Sequence, residues 1–383
     1  MAVSETLRLD ELRQQVRGEV IAEGDTGYDE ARRVWNGVID RRPALVVRCT
    51  GNADVIASIA FAREHGLPVS VRGGGHNVAG TAVAEGAVVL DLGAMRNVSV
   101  DVDRMTVRAG GGARLGDVDH ETQAFGLATP FGVVSRAGIA GLTLHGGMGF
   151  LTRRLGLSCD NLLAADVVTA DGQLLHADPE RHPDLLWALR GGGGNFGAVT
   201  SFEYRLHPIG PDVFMAITFY PVDAASDGLR GFREVFAKAP DELMGVALYW
   251  TAPGEEPFPP EWHGKPVFVL AGCWSGAVDQ AEEAVKPLRR GRDAGRRSER
   301  PDALRDRAEP LRPGVSRRPP LLLEVDLSVR RGRGDGGVAR PLRGNPPVSA
   351  ELDQRLGARR RDAPRARGRQ RVRVARRAVP ARG

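Results

Sequence analysis

Residues 68–77 read PVSVRGGGHN, and this stretch decides how the rest of the chain is interpreted. Its first five residues have the composition of a β-strand. The strand runs directly into three glycines, whose backbone N–H groups no side chain shields, and then into His76 and Asn77. Such a row of amides suits a diphosphate that approaches the backbone closely. From this segment alone, His76 either lies beside the ligand or caps a turn as a loop histidine.

The flanking residues predict a β-α-β unit followed by antiparallel strands. Short apolar runs predict strands over 44–49 and 68–72, with a helix over 52–65 between them. Apolar residues at helical spacing predict an earlier helix over 28–41, and three alternating stretches between residues 87 and 109 predict a meander. Further along we predict a helix over 115–125, a hairpin over 166–176 turning on Asp171 and Gly172, a helix over 184–190, a strand over 198–206, and antiparallel strands over 214–220, 244–250 and 267–273.

A second glycine-rich loop, residues 191–197, contains the spacing GxGxxG from Gly192 to Gly197. In a Rossmann domain this fingerprint follows a strand and opens a helix. Here it follows the predicted helix DLLWALR and precedes the predicted strand AVTSFEYRL, so the Rossmann interpretation is excluded. Together with residues 73–80 and 132–149, the loop makes three glycine-rich segments that we expect to converge on one long cofactor.

The composition predicts a reduced intracellular protein. Glycine accounts for 49 of 383 residues, nearly twice the usual share of about 7%, which places the excess in local loops. Cys49, Cys159 and Cys273 form no CxxC pair, so they predict neither a disulfide framework nor a thiolate zinc site. The sequence has no run of 18 apolar residues and no signal-peptide pattern at its start. Soluble, cytoplasmic localisation without a membrane partner is therefore predicted.

The charge is unevenly distributed along the chain. Residues 289–383 carry 28 Arg, no Lys and 11 acidic residues, a net charge of +17, whereas residues 1–288 carry −12. All 21 aromatic residues lie before residue 275. The last segment therefore lacks the residues of an ordinary core. It is either an Arg-rich disordered tail that binds nucleic acid or the product of a coding frame shift. We favour the frame shift, because Arg outnumbers Lys 50 to 3, as in a GC-rich gene.

Four ordered motifs resemble the FAD-binding domain of the vanillyl-alcohol-oxidase and p-cresol-methylhydroxylase type, and within it the berberine-bridge-enzyme-like oxidases. The motifs are PALVVRCTGNADVIASIAFAREHGLPVSVRGGGHNVAG, VVLDLGAM, GIAGLTLHGGMGFLTRRLGLSCDNLLAADVVTADG and LWALRGGGGNFGAVTSFEYRL, which together span about residues 40–207. The resemblance implies a two-lobed α+β cofactor domain that binds FAD. It also implies that residues 72–77 hold the diphosphate and that a ring nitrogen of His76 is bonded to the 8α carbon of the flavin.

The chain departs from this family at several positions. Val134 stands where doubly linked members carry a cysteine, so we expect one covalent bond, and we expect Cys159 to be a small buried residue. Leu142 stands where many relatives have a histidine near the flavin pyrimidine. The amide dipole of the following helix is then the alternative partner for the negative charge of the reduced flavin. Ala137, at the position that resembles the oxygen gate, is small enough to admit dioxygen.

The resemblance implies a set of cofactor-binding residues. For Asp160 and Asn161 the alternative is that they cap the following strand. His145 either packs or contacts flavin, and Tyr249, Trp250 and Trp274 either line a substrate pocket or belong to a core. The full set is Arg72, Gly73, Gly74, Gly75, His76, Asn77, Gly80, Val134, Ala137, Gly138, Gly141, Leu142, Gly146, Gly147, Gly149, Asp160, Asn161 and Val167.

The implied activity is transfer of a hydride from an alcohol or amine carbon of a small molecule to flavin N5, with dioxygen reoxidising the flavin to give hydrogen peroxide. We expect an FAD domain over 1–207, a partial antiparallel substrate domain over 208–288, and a non-native or disordered tail over 289–383. The alternatives are a non-catalytic or truncated flavoprotein and a protein that binds nucleic acid through the Arg-rich tail. The catalytic residues, the substrate and the oligomeric state do not follow from the sequence.

Overall fold

The computed structural model describes residues 9–210, 213–254, 258 and 260–289, and the backbone of residues 321–326. It divides the chain into two units, Met1–Gly210 (unit 1) and Pro211–Gly383 (unit 2). In unit 1 the helices are α1 (Leu9–Gln15), α2 (Tyr28–Ala31), α3 (Asn52–Glu64), α4 (Leu115–Gln123), α5 (Ile139–Leu144), α6 (Thr152–Leu155) and α7 (Pro183–Leu189), and the strands are β1 (Val20–Ala22), β2 (Leu45–Arg48), β3 (Val69–Arg72), β4 (Val88–Asp91), β5 (Val98–Asp101), β6 (Thr106–Gly110), β7 (Leu127–Ala128), β8 (Leu162–Val168), β9 (Leu174–Ala177), β10 (Ala198–Arg205) and β11 (His207–Pro208). In unit 2 they are β12 (Phe214–Pro221), α8 (Ala225–Phe236), β13 (Leu243–Thr251), β14 (Pro266–Trp274), α9 (Ala281–Arg289) and β15 (Leu321–Asp326).

The first sheet of unit 1 has the strand order β1-β2-β4-β3. The predicted β-α-β unit is confirmed, because α3 connects β2 to β3 and both strands run parallel to β4. Val55 and Ala62 of α3 are fully buried in one core with Leu45 and Val88. The end of β3, where the glycines begin, is therefore held on a buried sheet.

The predicted meander between residues 87 and 109 is wrong. Strand β4 lies in the first sheet, between β2 and β3, whereas β5 and β6 pair antiparallel in a second sheet. Burial explains the difference: Val88, Val89 and Leu90 are all fully buried, as expected of a parallel strand covered on both faces. Strand β5 instead alternates between half-buried and exposed residues.

The second sheet of unit 1 is antiparallel, with the order β5-β6-β10-β8-β9. The predicted hairpin is confirmed, since β8 pairs with β9 through a turn in which Gly172 has φ +85°. Phe202 and Tyr204 of β10 are fully buried and form the centre of this core with Phe131. The loop 191–197 lies between α7 and β10, in the helix-loop-strand order that excludes a Rossmann site.

The helix predicted over 28–41 is wrong beyond its first turn, because α2 ends at Ala31. In a continuing helix the N–H of Trp35 would donate to the carbonyl of Ala31. Here it donates to Gly75 O at 3.0 Å, and Arg72 Nη1 donates to the carbonyls of Ala31 and Arg33. Hydrogen bonds to the glycine loop and to β3 replace those that would have extended the helix.

Unit 2 contains an antiparallel sheet in the order β13-β14-β12-β15. The three strands predicted over 214–220, 244–250 and 267–273 are confirmed. Trp274 is buried in a core with Leu243 and Leu288. This burial favours the interpretation of Trp274 as a core residue over a place in a substrate pocket. Trp250 contacts the rings of Phe219 and Phe258, whereas Tyr249 is exposed.

Strand β15 belongs to the Arg-rich segment 289–383 and pairs antiparallel with β12, from Leu321 opposite Phe219 to Asp326 opposite Phe214. The other residues of the segment after Arg289 lie outside the described residues, so the prediction of a non-native tail stays a prediction. Cys49, Cys159 and Cys273 are all buried free cysteines, which confirms the burial predicted for Cys159. Within the described part of the chain, every helix is too short or too polar to cross a bilayer.

Candidate functional site

The three glycine-rich segments of unit 1 border one cavity of about 860 Å³. This volume lies within the usual range of small-molecule and cofactor sites, about 300–1,000 Å³. Eleven of the predicted cofactor-binding residues line it: Gly73, Gly74, Gly75, His76, Asn77, Ala137, Gly138, Gly141, Leu142, Gly146 and Gly147. The third segment contributes Gly194, Asn195 and Gly197. The expected convergence of the three segments is therefore present in the structure.

The first and second glycine segments touch through their backbones. A Cβ built on Gly74 would overlap the backbone nitrogen of Gly138, and a Cβ built on Gly138 would overlap the backbone nitrogen of Gly74. Neither overlap can be relieved by turning a side chain, because the opposing atoms are main-chain atoms. Glycine at both positions is what brings strand β3 and helix α5 to the same wall of the cavity.

The third segment is joined to the C-terminal end of α5. The N–H of Gly193 donates to the carbonyl of Leu144 at 2.8 Å. Gly197 has φ +143°, and a Cβ there would lie 2.5 Å from Val168 O on strand β8. The cavity wall is thus continuous from β3 through α5 to the start of β10.

The cavity is lined by uncharged groups. Among the described residues that border it there is no Lys, Arg, Asp or Glu, and its titratable side chains are His76 and His145. The N–H groups of Gly73 and Gly74 donate no hydrogen bond to the described part of the chain. An anion in this cavity would therefore meet backbone dipoles and no competing carboxylate.

Ser70 supplies an unsatisfied hydroxyl at the same site. It borders the cavity and is 7% exposed, and its Oγ has no hydrogen-bond partner among the described residues. A buried hydroxyl without a partner costs about 1–3 kcal/mol. A ligand with a polar group at this wall would remove that cost.

Arg72 lies behind the cavity wall. Its guanidinium donates to Asp91 Oδ2 at 2.7 Å and to the carbonyls of Ala31 and Arg33. Both charged side chains of this pair are largely buried. Arg72 therefore fixes the end of β3 against β4 and the segment after α2. The sequence had predicted that Arg72 contacts the diphosphate, but its side chain does not line the cavity.

His76 is half-buried at the cavity wall and is stacked on Trp35, with ring centroids 5.5 Å apart and an angle of 17° between the planes. Of the two sequence alternatives for His76, its position on the cavity favours the one beside a ligand. Trp35 was not predicted as a site residue, because the pattern of residues 28–41 placed it on a helix.

His145 also borders the cavity, so the structure favours contact with a ligand over packing. Its Nδ1 donates to Gly141 O at 2.8 Å, which orients the ring, and its Nε2 would be 3.0 Å from a Cβ on Gly193. Leu142 lines the same wall. The N–H of Ile139, the first residue of α5, donates to Ala113 O at 3.0 Å, so that amide is already engaged.

Asp160 and Asn161 do not border the cavity and instead hold the turn before β8. Asp160 Oδ2 accepts from the Leu157 N–H at 2.8 Å, and Asn161 Nδ2 donates to Leu155 O and Leu157 O. Asn161 Oδ1 accepts from His207 Nε2 at 2.7 Å. Burial, with Arg205 and Arg154 nearby, lowers the pKa of His207. The capping alternative is the one that the structure favours.

The other predicted residues away from the cavity have structural contacts. Gly80 has φ +69° and faces the side chain of Ile39, and a Cβ on Gly149 would overlap Phe131 O. Val167 is fully buried in the core of the second sheet. Val134 O accepts from the Ala137 N–H at 2.9 Å and shapes the turn before α5.

Cys159 is buried and does not border the cavity. Burial raises the pKa of its thiol, as does the neighbouring Asp160 carboxylate. The thiolate, which is the reactive form, is therefore disfavoured.

Sequence reasoning did not name several lining residues that are not glycines. These include Val69 and Ser70 on β3, Thr81 and Ala84 in the loop after it, and Met148 after α5. The available signal was their position in the sequence, since Val69, Ser70 and Met148 lie inside the quoted motifs and Thr81 and Ala84 follow the first glycine segment.

A family of FAD binding domains matches residues 43–178. Among curated proteins, (R)-6-hydroxynicotine oxidase of Paenarthrobacter nicotinovorans is 42% identical over 194 residues, which cover 51% of this chain and 42% of that protein. The chain spans about half the length of the curated relatives it matches.

Two solved structures share the fold. BBE-like 1 from Physcomitrella patens has a TM-score of 0.67 at 26% identity, covering 74% of this chain and 60% of that one. Glucooligosaccharide oxidase from Acremonium strictum, described with a 6-S-cysteinyl, 8α-N1-histidyl FAD, has a TM-score of 0.63 at 27% identity, covering 72% and 56%.

The fold and the matches define an FAD-binding domain of the p-cresol-methylhydroxylase type over residues 43–178. Over the residues it covers, the chain is similar to the hydroxynicotine oxidase and to the BBE-like protein named above. The residues present fit FAD, because the cavity has a backbone cradle that a Cβ would fill, a neutral wall and the unsatisfied hydroxyl of Ser70.

Proposed function

We propose that this protein is an FAD-dependent oxidase whose cofactor occupies the cavity of unit 1. The observation that carries the proposal is the convergence of the three glycine segments on one neutral wall, with the N–H groups of Gly73 and Gly74 available. Bound FAD would accept a hydride at N5 from an alcohol or amine carbon and pass the two electrons to dioxygen, giving hydrogen peroxide. The first two segments would hold the diphosphate and the flavin.

His76 would bind FAD covalently, through a ring nitrogen bonded to the 8α carbon. Its place on the cavity wall supports this, and so does the histidyl-linked FAD of the glucooligosaccharide oxidase. A neutral imidazole nitrogen is a competent nucleophile, since the ordinary histidine pKa is about 6.5. We propose this single link, because Val134 has no thiol and Cys159 is buried away from the cavity.

Dioxygen would reach the flavin beside Ala137. This residue borders the cavity next to Gly138, and its methyl group leaves more room than a larger apolar side chain would. The small-molecule substrate would be oxidised at the same wall, where His145 and Asn195 also lie.

The domain organisation is part of the proposal. Residues 1–207 would form the FAD domain, with the two sheets of unit 1 as its two lobes, and residues 208–288 would form part of a substrate domain. A truncated or non-catalytic flavoprotein is the alternative in the same class. Binding of nucleic acid through residues 289–383 is the alternative in another class.

Acid precipitation of the purified protein tests the cofactor assignment. Wild-type precipitate should stay yellow, and that of His76→Ala should release FAD into the supernatant. Peptide mapping should find flavin on the peptide containing His76 and on none containing Cys159. Colourless wild-type precipitate with free FAD would contradict the covalent bond, and flavin on Cys159 would contradict the single link.

Peroxide formation tests the activity. Incubation of the yellow protein with a panel of primary alcohols, secondary amines and oligosaccharides should give hydrogen peroxide with at least one class. Bleaching of the flavin without peroxide would indicate another electron acceptor, and neither change with any substrate would support the non-catalytic alternative. Salt-sensitive binding to duplex DNA would support the nucleic-acid alternative.

A further inference from the structure

The indole of Trp35 lies against the imidazole of His76 and comes from a segment distant in sequence. The ring centroids are 5.5 Å apart and the planes are 17° from parallel. We infer that Trp35 is a positioning residue that holds the His76 ring in the orientation needed for covalent attachment of FAD. This inference rests on the proposed function, because it requires FAD in the cavity.

The position of Trp35 is fixed by hydrogen bonds that involve no ligand. Its main-chain N–H donates to Gly75 O at 3.0 Å, one residue before His76. Arg72 donates to the carbonyls of Ala31 and Arg33 in the same segment and is itself paired with Asp91 at 2.7 Å. The segment 31–35 is therefore tied to the strand end and the loop that carry His76.

Trp35 acts on His76 without touching the proposed cofactor site. Of these two described residues, His76 lines the cavity and Trp35 does not. A stacked partner restricts rotation of the imidazole about its χ2 angle, which is otherwise broad. The stack thereby decides where the ring nitrogens lie.

The bond to be formed is sensitive to that orientation. One N–C bond forms between His76 and the 8α methyl group, while the imidazole N–H bond and one methyl C–H bond break. The two protons and two electrons released are taken up by dioxygen, which becomes hydrogen peroxide. A misplacement of reacting atoms by about 1 Å can slow a reaction by about 100-fold.

The experiment measures covalent incorporation of FAD into full-length apoprotein produced under flavin limitation. Trp35→Leu removes the stacked ring but keeps the main-chain N–H that donates to Gly75. We expect a maximal rate of attachment about 100-fold below wild type, with an unchanged FAD concentration for half-maximal rate. Trp35→Phe restores a stacking ring and should give a rate between the two. Trp187→Leu is the matched control, since Trp187 is 79% exposed, and should attach FAD at the wild-type rate.

A second measurement separates positioning from a general structural role. The single variant His76→Ala and the double variant that combines His76→Ala with Trp35→Leu should bind FAD non-covalently with the same affinity. A loss of affinity in the double variant, or a wild-type attachment rate for Trp35→Leu, would overturn the inference. If Trp35→Leu is insoluble, Trp35→Gln, which also removes the aromatic ring, carries the test, and a wild-type rate for it would overturn the inference. Absence of covalent FAD in the wild type would contradict the bond to His76 and this inference with it, whereas the oxidase activity itself is tested separately by peroxide formation.

Discussion

Two glycines at the cavity of unit 1 and three glycines in unit 2 are in contact with different kinds of atoms. In unit 1, a Cβ on Gly74 or Gly138 would overlap main-chain atoms of the opposing loop. In unit 2, a Cβ on Gly228, Gly245 or Gly272 would overlap the side chain of Phe268, Phe236 or Leu288. A side chain can change its rotamer, whereas a main chain held on a sheet must move as a whole. Unit 1 should therefore tolerate much less change at Gly74 and Gly138 than unit 2 does at Gly228, Gly245 and Gly272.

The largest effect is expected for Gly138→Ala. The added methyl group would push the loop carrying Gly74 away from α5 and widen the cavity, so that FAD loses contact with one wall. We expect a loss of about 3 kcal/mol or more in the free energy of unfolding, as for severe overpacking, and an FAD affinity at least about 100-fold lower. Denaturant unfolding and FAD titration would measure both.

Gly141→Ala is the control for this prediction, because a Cβ on Gly141 meets no atom within 4 Å. It lies inside α5, where alanine should stabilise the apoprotein by about 0.5–1 kcal/mol. Equal stability of the two alanine variants would contradict the idea that the backbone contact between Gly74 and Gly138 prevents substitution at these glycines.

A slightly smaller effect is expected at Asp54, which holds irregular backbone in unit 1. Its buried carboxylate accepts from the N–H groups of Arg17 at 2.9 Å, Gly18 at 3.2 Å and Thr50 at 2.8 Å. Asp54→Ala would leave these donors without their acceptor, and we expect a loss of about 2–3 kcal/mol. Chemical unfolding at pH 7 would measure it, with Asp10→Ala on exposed α1 surface as the control.

The pH dependence follows from the same contacts. Burial by itself raises the pKa of Asp54, but hydrogen bonds from Thr50, Arg17 and Gly18 outweigh it, so the pKa lies below its usual value. A carboxyl with a lowered folded-state pKa contributes stability above the unfolded value of about 3.9, and the contribution is lost as pH falls through the folded value. The stability gap between wild type and Asp54→Ala should therefore narrow below about pH 4. A gap independent of pH from 7 to 2 would refute this assignment.

A moderate effect is expected for Gly272→Ala in unit 2. The new methyl group would meet Leu288 Cδ1, the end of a flexible side chain. We expect a cost of about 1–2 kcal/mol, because Leu288 can turn within the core. Leu288→Ala should remove much of this cost, so the double variant should be more stable than the sum of the two single losses predicts. Strict additivity in denaturant unfolding would show that the side chain does not relieve the overlap.

The smallest effect is expected for Ala137→Leu, which adds apolar bulk beside Gly138 without changing the glycine contact. Reoxidation of photoreduced protein by air should slow several-fold while stability changes little. Stopped-flow absorbance would measure reoxidation, and Ala137→Ser, which adds one oxygen atom, is the control. Equal rates in all three proteins would place the path of dioxygen elsewhere.

Local patterns in the sequence were sufficient for much of the framework. The helix over 52–65, the turn at Asp171 and Gly172 and the antiparallel strands after residue 213 were predicted and are confirmed. Each depends on periodicity or turn chemistry within a few residues. The three glycine segments and the place of His76 beside a ligand cavity also followed from composition and from the family resemblance.

Other features were decided by contacts between residues far apart in the chain. Residues after Ala31 leave the helix because Arg72 and Gly75 take part in hydrogen bonds that helical turns would otherwise make. Strand β4 enters the first sheet because it pairs in parallel with β2 and β3 along its two edges, while its side chains are buried on both faces. Arg72 points away from the cavity toward Asp91, and Trp35 stacks on His76. A sequence pattern reports which face of an element is apolar, but the partner of each polar group is chosen only when the elements pack, since buried donors and acceptors must find one another.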